Sequence, residues 1–293
     1  MEAVCSGKLW DVAIAYDGGR LTGFMPYHFG RRLGMTYIIE PQLTQYSGPF
    51  YCYPDGLSES HRLDFEKQTA RSLVSQMEAI KPAYILQRLS PDVTNWLPFH
   101  WSGYRQTTRY TYRIGDISDP QRVFDAFDAE KRQRKIRRYE QSVAVSYDMS
   151  PLDFARFHNR YWMAKGGHDV LSTDFIENVC RTAVERGSGL IASLRDDAGR
   201  LLAARFVAFD ARCAYALMSA QDLQLHKSGH SEMLYWAILQ HLSGKSRAFD
   251  FEGSMDEGLE YFYRSFGAVQ TPYSEISKCN SILFRLLLKM KKS

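Results

Sequence analysis

The order of apolar and polar positions predicts strands alternating with helices along the chain. Apolar runs of strand length and longer stretches with helical spacing follow one another. The strand candidates include 12–15, 83–86, 190–194, 213–219 and 248–251, and the helix candidates include 63–80 and 228–242. Such alternation is expected of mixed α/β domains, in which helices cover the faces of a sheet. The predicted fold class is therefore α/β, with a mixed α+β sheet.

A turn motif that separates two strand candidates occurs twice. Asp17-Gly-Gly-Arg-Leu21 and Asp197-Ala-Gly-Arg-Leu201 lie 180 residues apart, and an apolar run precedes and follows each of them. An Asp-x-Gly turn between two such runs is typical of a β-hairpin. Each hairpin is followed by a helix candidate and then by another short apolar strand. The repeat predicts two similar α/β domains in tandem.

The segment between the two halves is polar. Residues 116–130 include Pro120 and several charged side chains, a composition found in connections between domains. We place the domains at 1–117 and 118–280 and treat 281–293 as a basic amphipathic C-terminal tail. Because the chain begins almost directly at a strand, we expect either a misassigned start or a first domain that is reduced at its N-terminus.

Composition and charge narrow the class of protein without giving a function. The net charge is +4, from 37 basic and 33 acidic residues, which permits an anionic partner but does not require one. The five cysteines form no Cys-x-x-Cys pair and no metal-ligand spacing, as expected of free thiols in a reducing compartment. We find no signal-peptide pattern and no apolar run of about 18 residues. We therefore expect a cytoplasmic protein of bacterial type, with no bound metal.

Two basic segments raise the question of an anionic partner. Residues 131–138 carry six basic side chains in eight positions. This suits a nucleic acid, a phosphate-bearing ligand, or a helix whose charges pair with nearby acids. Residues 282–292 form a basic amphipathic stretch, which could lie on a membrane surface or dock on the protein itself. The sequence leaves these alternatives open.

The loop before the second helix candidate has the features of an anion site. Gly229 and Ser231 stand at the expected helix start, where unpaired backbone amides and the helix dipole attract negative charge. The same residues also fit an ordinary serine-capped helix start. The candidate anion-binding residues are Lys227, Ser228, Gly229, His230 and Ser231.

Two acidic residues lie at the end of the strand candidate at 248–251. Asp250 and Glu252 alternate with Phe249 and Phe251, so they should share one face of the strand at its carboxyl end. Functional sites of α/β sheets lie at that edge. One carboxylate could act as a general base, or the pair could hold a cationic amine. A solvated sheet face is the alternative.

A short helix is predicted between Asp256 and Gly267, since acidic residues favour a helix start and glycine favours a helix end. Its inward face would be formed by Leu259, Phe262, Tyr263 and Phe266. Tyr263 thus places a phenol on an apolar face, where its hydroxyl must find a partner or border a cavity.

Together, the strand, anion loop, helix, strand and Tyr-x-x-x-Gly helix resemble the core of the GNAT acyltransferase superfamily. The resemblance implies acyl-CoA N-acyltransferase domains, with the donor's pyrophosphate on the helix start at His226-Lys-Ser-Gly229-His-Ser231. This stretch keeps the first glycine of the family's loop but not the full signature. The resemblance also implies that Tyr263 protonates the departing thiolate.

The tandem arrangement and the sequence Phe262-Tyr-Arg-Ser-Phe-Gly267 resemble the Fem-type proteins. These include aminoacyl-tRNA-dependent peptidoglycan ligases and acyltransferases of polysaccharide loci. The ligases have a lysine where this chain has Tyr263, and some insert a long heptad segment that this chain lacks. Both differences favour an acyl-CoA donor over an aminoacyl-tRNA.

The resemblance implies an N-acyltransferase that moves an acyl group from acyl-CoA to an amine acceptor, such as an amino sugar or a cell-envelope precursor. Glu252 or Asp250 would accept the proton of the amine, and Tyr263 would donate one to the thiolate. The residues expected to bind phosphates of donor or acceptor are Arg264, Lys135 and Arg138.

Two other functions stay open. The first is an aminoacyl-tRNA-dependent ligase, which would bind tRNA through residues 131–138. The second is a non-catalytic binding protein that keeps the fold. Peripheral membrane contact through the tail is compatible with all of these functions.

Overall fold

The computed structural model describes residues 1–5, 9–167, 171–225, 229–253 and 255–290. The strands are β1 (Trp10–Asp17), β2 (Arg20–Arg32), β3 (Met35–Ile39), β4 (Phe50–Tyr51), β5 (Tyr84–Arg88), β6 (Arg105–Ile114), β7 (Val143–Ser146), β8 (Gly189–Asp196), β9 (Leu201–Phe209), β10 (Cys213–Gln221), β11 (Ala248–Asp250) and β12 (Val269–Cys279). The α-helices are α1 (Glu59–Ala79), α2 (Leu97–Trp101), α3 (Pro120–Asp125), α4 (Arg134–Tyr139), α5 (Pro151–Ala164), α6 (Thr173–Glu185), α7 (His230–Leu242), α8 (Glu257–Arg264) and α9 (Ile282–Met290). A π-helical turn, Ala129–Gln133, leads directly into α4.

The chain divides into two compact units. Unit 1 comprises Met1–Arg109 and Pro272–Ser293, and unit 2 comprises Tyr110–Thr271. Strands β6 and β12 each contribute residues to both units. Helix α9 thus belongs with the N-terminal part of the chain.

Unit 1 contains a mixed sheet in the order β1-β2-β3-β5-β12. Strands β1 and β2 form a hairpin, β2 pairs antiparallel with β3, and β3 runs parallel to β5. Helix α1, whose first turn is capped by the Ser58 hydroxyl, buries Leu73, Val74 and Met77 in the core of this unit.

Unit 2 contains a mixed sheet in the order β6-β11-β10-β9-β8-β7. Strands β8 and β9 form a hairpin, β9 pairs antiparallel with β10, and β10 runs parallel to β11. On β9, Phe206 contacts Phe154 of α5, while its neighbour Arg205 contacts Ser231 of α7. Because successive strand residues point to opposite faces, α5 and α7 cover opposite faces of this sheet.

The two hairpins predicted from the Asp-x-Gly turns are present. Glycines in the left-handed conformation form both turns, Gly18 and Gly19 in the first and Gly199 in the second. Glycine adopts this conformation at little steric cost. In each unit the hairpin is followed by a third antiparallel strand, a helix and a strand parallel to the third. The mixed α/β class and the tandem repeat are therefore confirmed.

The units differ in what precedes the hairpin. In unit 2, helices α5 and α6 pack together before β8, whereas the described residues before β1 form only a turn. None of the helices in the described ranges has both the length and the apolar character needed to cross a bilayer.

Candidate functional site in unit 2

The carboxyl end of β11 gives Asp250 a fully buried position. Its Oδ1 accepts hydrogen bonds from Thr111 Oγ1 at 2.5 Å and from the backbone N of Glu252 at 2.8 Å. Arg113 Nε lies 3.7 Å from the other carboxylate oxygen. Asp250 therefore ties β11 to β6 and fixes the turn that follows the strand.

Glu252 lies beyond the end of β11, in the left-handed conformation with a φ of +63°. The predicted strand alternation, with Asp250 and Glu252 on one face, is wrong because the chain turns after Asp250. A non-glycine residue in this conformation is strained, and such residues cluster at functional sites. Burial, and then the neighbouring Asp250 carboxylate, raise the pKa of Glu252 well above its usual range. A carboxyl group with a raised pKa is suited to proton transfer near neutral pH.

Tyr263 lies on α8 close to the same turn. The centroid of its ring is 5.0 Å from that of Phe251. Burial raises the pKa of the phenol, Tyr235 and Glu252 raise it further, and Arg205 partly opposes the rise. The hydroxyl therefore stays protonated at neutral pH and can donate a hydrogen bond.

Helix α8 holds Tyr263 in place through its cap and its apolar face. Asp256 Oδ1 accepts a hydrogen bond from the backbone N of Leu259 at 3.0 Å, as expected of an N-cap. Phe266, just after the helix, is fully buried, and Phe262 packs against the same core. The prediction of an inward face is wrong only for Leu259, which is 46% exposed.

Arg205 and Tyr235 are site residues that the sequence analysis missed. The Arg205 guanidinium carbon lies 3.6 Å from the centroid of the Tyr235 ring, and Nη2 donates to Ser231 Oγ at 2.5 Å. Arg205 is 8% exposed, and its Nε has no hydrogen-bond partner within the described part of the chain. One signal was available in the sequence, since an arginine interrupts the apolar strand 201–209. A buried charge in such a strand needs a partner or a ligand.

The pairing of strands β10 and β11 ends where β11 ends. They pair only from Cys213 and Ala248 to Tyr215 and Asp250, and the pairing of β10 with β9 is irregular after Tyr215. Strand β10 then continues to Gln221 while β11 has ended. Beyond Tyr215, the main chain of β10 therefore does not pair with β11. This stretch of β10 begins where β11 ends, two residues before Glu252.

Helix α7 begins after Gly229, which has a φ of +98°. A Cβ atom at this position would come within 3.0 Å of the Tyr139 ring and 3.2 Å of Lys135 Cβ. Glycine thus allows α4 to pack closely against the start of α7. Of the predicted anion-binding residues, Lys227 and Ser228 lie outside the described residues.

The first turn of α7 is surrounded by more positive than negative charge. Buried Glu232 accepts hydrogen bonds from Arg132 Nη1 at 2.9 Å and from Lys135 Nζ at 3.0 Å. Arg205 adds a third cation through Ser231. His230 packs against Tyr139 with ring centroids 4.3 Å apart and the rings tilted, and burial lowers the pKa of the imidazole. This helix start therefore combines a dipole and cations, as an anion site requires.

The basic segment at 131–138 is largely engaged within unit 2. Lys135 and Arg132 bind Glu232, and Arg138 lies over the Tyr139 ring. The other contacts are Lys131 over Tyr261, Arg134 with Glu130, and Arg137 over Phe124. Among the alternatives for this segment, the structure thus favours a helix whose charges are engaged by nearby groups over one that is free to bind a nucleic acid. Arg264 similarly pairs with Glu260 on the surface of α8.

The described side chains near β11 include the Glu252 carboxyl group and the Tyr263 phenol, and cations surround the start of α7. In the described ranges, His, Cys, Asp and Glu side chains form no group of three that could hold a metal ion. The arrangement is suited to proton transfer beside a bound anionic ligand.

Residues 128–262 match the family model described as an acetyltransferase (GNAT) domain. This range contains Arg205, the start of α7 and Glu252, and it ends one residue before Tyr263. No curated protein matches the chain in sequence.

Several solved structures share the fold of this chain over most of its length. The crystal structure of FemX has a TM-score of 0.73 and 12% identity, covering 94% of this chain and 90% of that chain. The C-terminal domain of a putative lysylphosphatidylglycerol synthetase from Agrobacterium fabrum has a TM-score of 0.58 and 13% identity, covering 96% and 87%. A tandem GNAT protein from the clavulanic acid biosynthesis pathway has a TM-score of 0.52 and 12% identity, covering 93% and 83%.

Proposed function

We propose that this chain is an N-acyltransferase that uses acyl-CoA, because residues 128–262 match an acetyltransferase (GNAT) domain and the fold is similar to that of FemX. The family match and the fold support acyl or aminoacyl transfer in general. The specific parts of the proposal are the CoA thioester as donor and an amine as acceptor. An amino sugar or a cell-envelope precursor is the acceptor class that the Fem-type resemblance implies.

The observation that supports the proposal best is that a carboxyl group, Glu252, and a phenol, Tyr263, both lie close to the turn after β11. One is a carboxyl group with a raised pKa, and the other is a phenol that stays protonated. The Glu252 charge acts on the pKa of the phenol, so the two groups share one electrostatic environment. An acid and a base with well-separated pKa values are what amine acylation by a thioester needs.

The donor would bind through the start of α7. Backbone amides from Gly229 to Ser231 would hold the pyrophosphate, and Lys227 and Ser228 are expected from the sequence to bind it as well. Arg205 would add positive charge next to Ser231. Lys135 and Arg132 would act indirectly, because both are bound to Glu232.

In the proposed reaction, the acceptor nitrogen attacks the thioester carbonyl carbon, a C–N bond forms and the C–S bond breaks. Glu252 accepts the proton that leaves the amine, directly or through water. Tyr263 donates its proton to the thiolate and is reprotonated from solvent. Asp250 contributes by holding the backbone of Glu252, since its carboxylate is already bonded to Thr111 and to that backbone N.

An aminoacyl-tRNA-dependent ligase is the second candidate. The fold similarity to FemX over most of the chain favours it. The intramolecular contacts of residues 131–138 and the tyrosine at position 263 oppose it, because fewer cations remain for tRNA. A third candidate, a non-catalytic binding protein, would bind ligand at the same place without turnover.

The test is a thiol-release assay with acetyl-CoA and a panel of amines that includes hexosamines and free peptide amines. We expect amine-dependent release of CoA that Glu252→Gln and Tyr263→Phe both reduce. Release from charged tRNA instead of acetyl-CoA would support the ligase. Binding of CoA without release from any amine would support the non-catalytic protein.

A further inference from the structure

Helix α9 is attached to unit 1 through one face. Phe284 is buried, and its ring stacks on Tyr84 at 5.5 Å between centroids and lies 6.0 Å from Tyr37. The Ser281 hydroxyl accepts a hydrogen bond from the backbone N of Phe284 and caps the helix. Gly30 makes room for Tyr37, because a Cβ atom there would lie 2.5 Å from the ring. The helix is therefore held in a defined orientation.

The opposite face of α9 is apolar and exposed. Its side chains and their exposed fractions are Ile282 (77%), Leu283 (54%), Leu286 (53%) and Met290 (74%). Their spacing places them on one side of the helix, away from Phe284. A helix that only covered the sheet of unit 1 would expose polar residues at these positions.

Further exposed apolar side chains lie next to this helix. The Ser281 hydroxyl contacts Met35 Sδ at 3.6 Å, which brings the tip of the β2–β3 hairpin close to the start of α9. At that tip, Leu33 is 71% exposed and adopts a φ of +50°. The segment before β5 joins them, since Asn280 Nδ2 donates to the carbonyl of Pro82 at 3.0 Å. Ile80 is also exposed there.

The charges on these three segments have one sign. Residues 31–35, 80–82 and 282–290 contain no aspartate or glutamate. Their basic residues include Arg31, Arg32, Lys81 and Arg285. We call the exposed apolar residues of α9, Leu33 and Ile80, with these four cations, the α9 surface.

We propose that the α9 surface binds the face of an anionic lipid bilayer. Apolar side chains flanked by cations are the pattern of helices that lie in the headgroup region of acidic membranes. A second copy of the chain fits less well, because it would place like charges opposite each other. The proposal goes beyond acyl transfer and does not depend on the donor, since the surface belongs to unit 1 and the proposed chemistry to unit 2.

The experiment is co-sedimentation of the full chain with vesicles of phosphatidylcholine, with and without phosphatidylglycerol. We expect binding that requires phosphatidylglycerol and weakens with salt. The double variant Ile282→Asp with Leu286→Asp should bind at least about tenfold more weakly, because it places charge in the apolar face. Val184→Asp, at an exposed apolar position of α6 in unit 2, is the matched control and should bind like the wild type.

A second pair of substitutions keeps the test independent of folding. Arg32→Glu with Arg285→Glu alters only exposed cations and should weaken binding by about fivefold or more per charge. A wild-type chain that stays in the supernatant would overturn the proposal, as would charge variants that bind normally. A concentration-dependent dimer in analytical ultracentrifugation, abolished by Leu286→Asp, would also overturn it and assign the surface to a second copy.

Discussion

Asp250 and Glu252 are separated by one residue, and their surroundings suit them to different tasks. Asp250 is fully buried and is hydrogen-bonded to Thr111 and to the backbone of Glu252. Glu252 has a raised pKa and a strained backbone at the end of the strand. At the scale of single residues, Glu252 is therefore the better candidate for the general base, and Asp250 for its support.

Glu252→Gln should lower turnover by about 10²–10⁴-fold, the usual contribution of a general base. Because the pKa of Glu252 is raised, wild-type kcat/KM should fall with decreasing pH at a midpoint well above that of an ordinary glutamate. The variant should lose this pH dependence. Glu257→Gln, at an exposed position of α8, is the matched control for steady-state kinetics. Equal rates for the wild type and Glu252→Gln would exclude Glu252 as the base.

Tyr263→Phe should lower turnover by about ten- to a thousandfold while leaving CoA affinity unchanged, because only the proton donor is lost. A thioester with a more acidic thiol needs less protonation of its leaving group. In a stopped-time assay, Tyr263→Phe should therefore lose less turnover with such a donor than with acetyl-CoA. Tyr261→Phe on the same helix controls for the loss of a hydroxyl. A loss of the same size with both donors would argue against Tyr263 as the acid.

The carboxyl group of Glu40 should make the stability of unit 1 depend on pH. Its Oε1 accepts a hydrogen bond from the backbone N of Arg88, while its buried Oε2 has no hydrogen-bond partner in the described residues. Burial raises the pKa of Glu40 to about 7, although the Arg88 charge opposes this. The folded state thus favours the protonated form. This contribution to stability is complete below the pKa of the unfolded chain and is lost as pH rises through about 7.

Glu40→Gln should therefore be more stable than the wild type at about pH 8, by roughly 1–3 kcal/mol, and similar to it at about pH 4. Urea unfolding of both proteins at the two pH values measures this difference. If the two proteins differed in unfolding free energy by the same amount at both pH values, Glu40 would titrate normally in the folded protein.

At the scale of elements, the end of α8 depends on a close approach between two segments. Gly267 has a φ of +70°, and a Cβ atom there would lie 2.8 Å from the backbone O of Ala126. Gly267→Ala should destabilise the protein by about 2–4 kcal/mol, because it adds both strain and a clash with backbone. Urea unfolding measures the loss.

The matched control is Gly199→Ala in the β8–β9 turn. Gly199 has a φ of +76°, but a Cβ atom added there would have no other atom within 4 Å. Only backbone strain of about 1 kcal/mol is therefore expected. Similar losses in the two variants would show that the approach to Ala126 does not matter.

Local sequence patterns predicted part of the elements and part of the site. Both hairpins and the cap at Asp256 follow from turn and capping residues close in sequence, whereas α7 begins after Gly229 with no side-chain cap. The turn after Asp250 does not follow from such residues, because it depends on Thr111 of β6. The contact of Arg205 with Tyr235 also joins distant segments. Periodicity carries no information about such long-range contacts.

At the scale of the whole molecule, the repeated order of strands and helices does not repeat the site. The proposed donor site belongs to unit 2, where cations surround the start of α7. In unit 1 the corresponding helix, α1, starts at an ordinary serine cap with Glu59 and Arg62 paired in its first turn. The two units thus share an architecture, and the features of an anion site occur in the second.

The central claim is that unit 2 binds a CoA thioester, and calorimetric titration with CoA and acetyl-CoA tests it most directly. We predict a Kd of about micromolar order that survives moderate salt. Ser231→Glu, which places a negative charge at the start of α7, should weaken binding by at least about tenfold. No binding at about millimolar ligand would contradict the account and direct attention to charged tRNA.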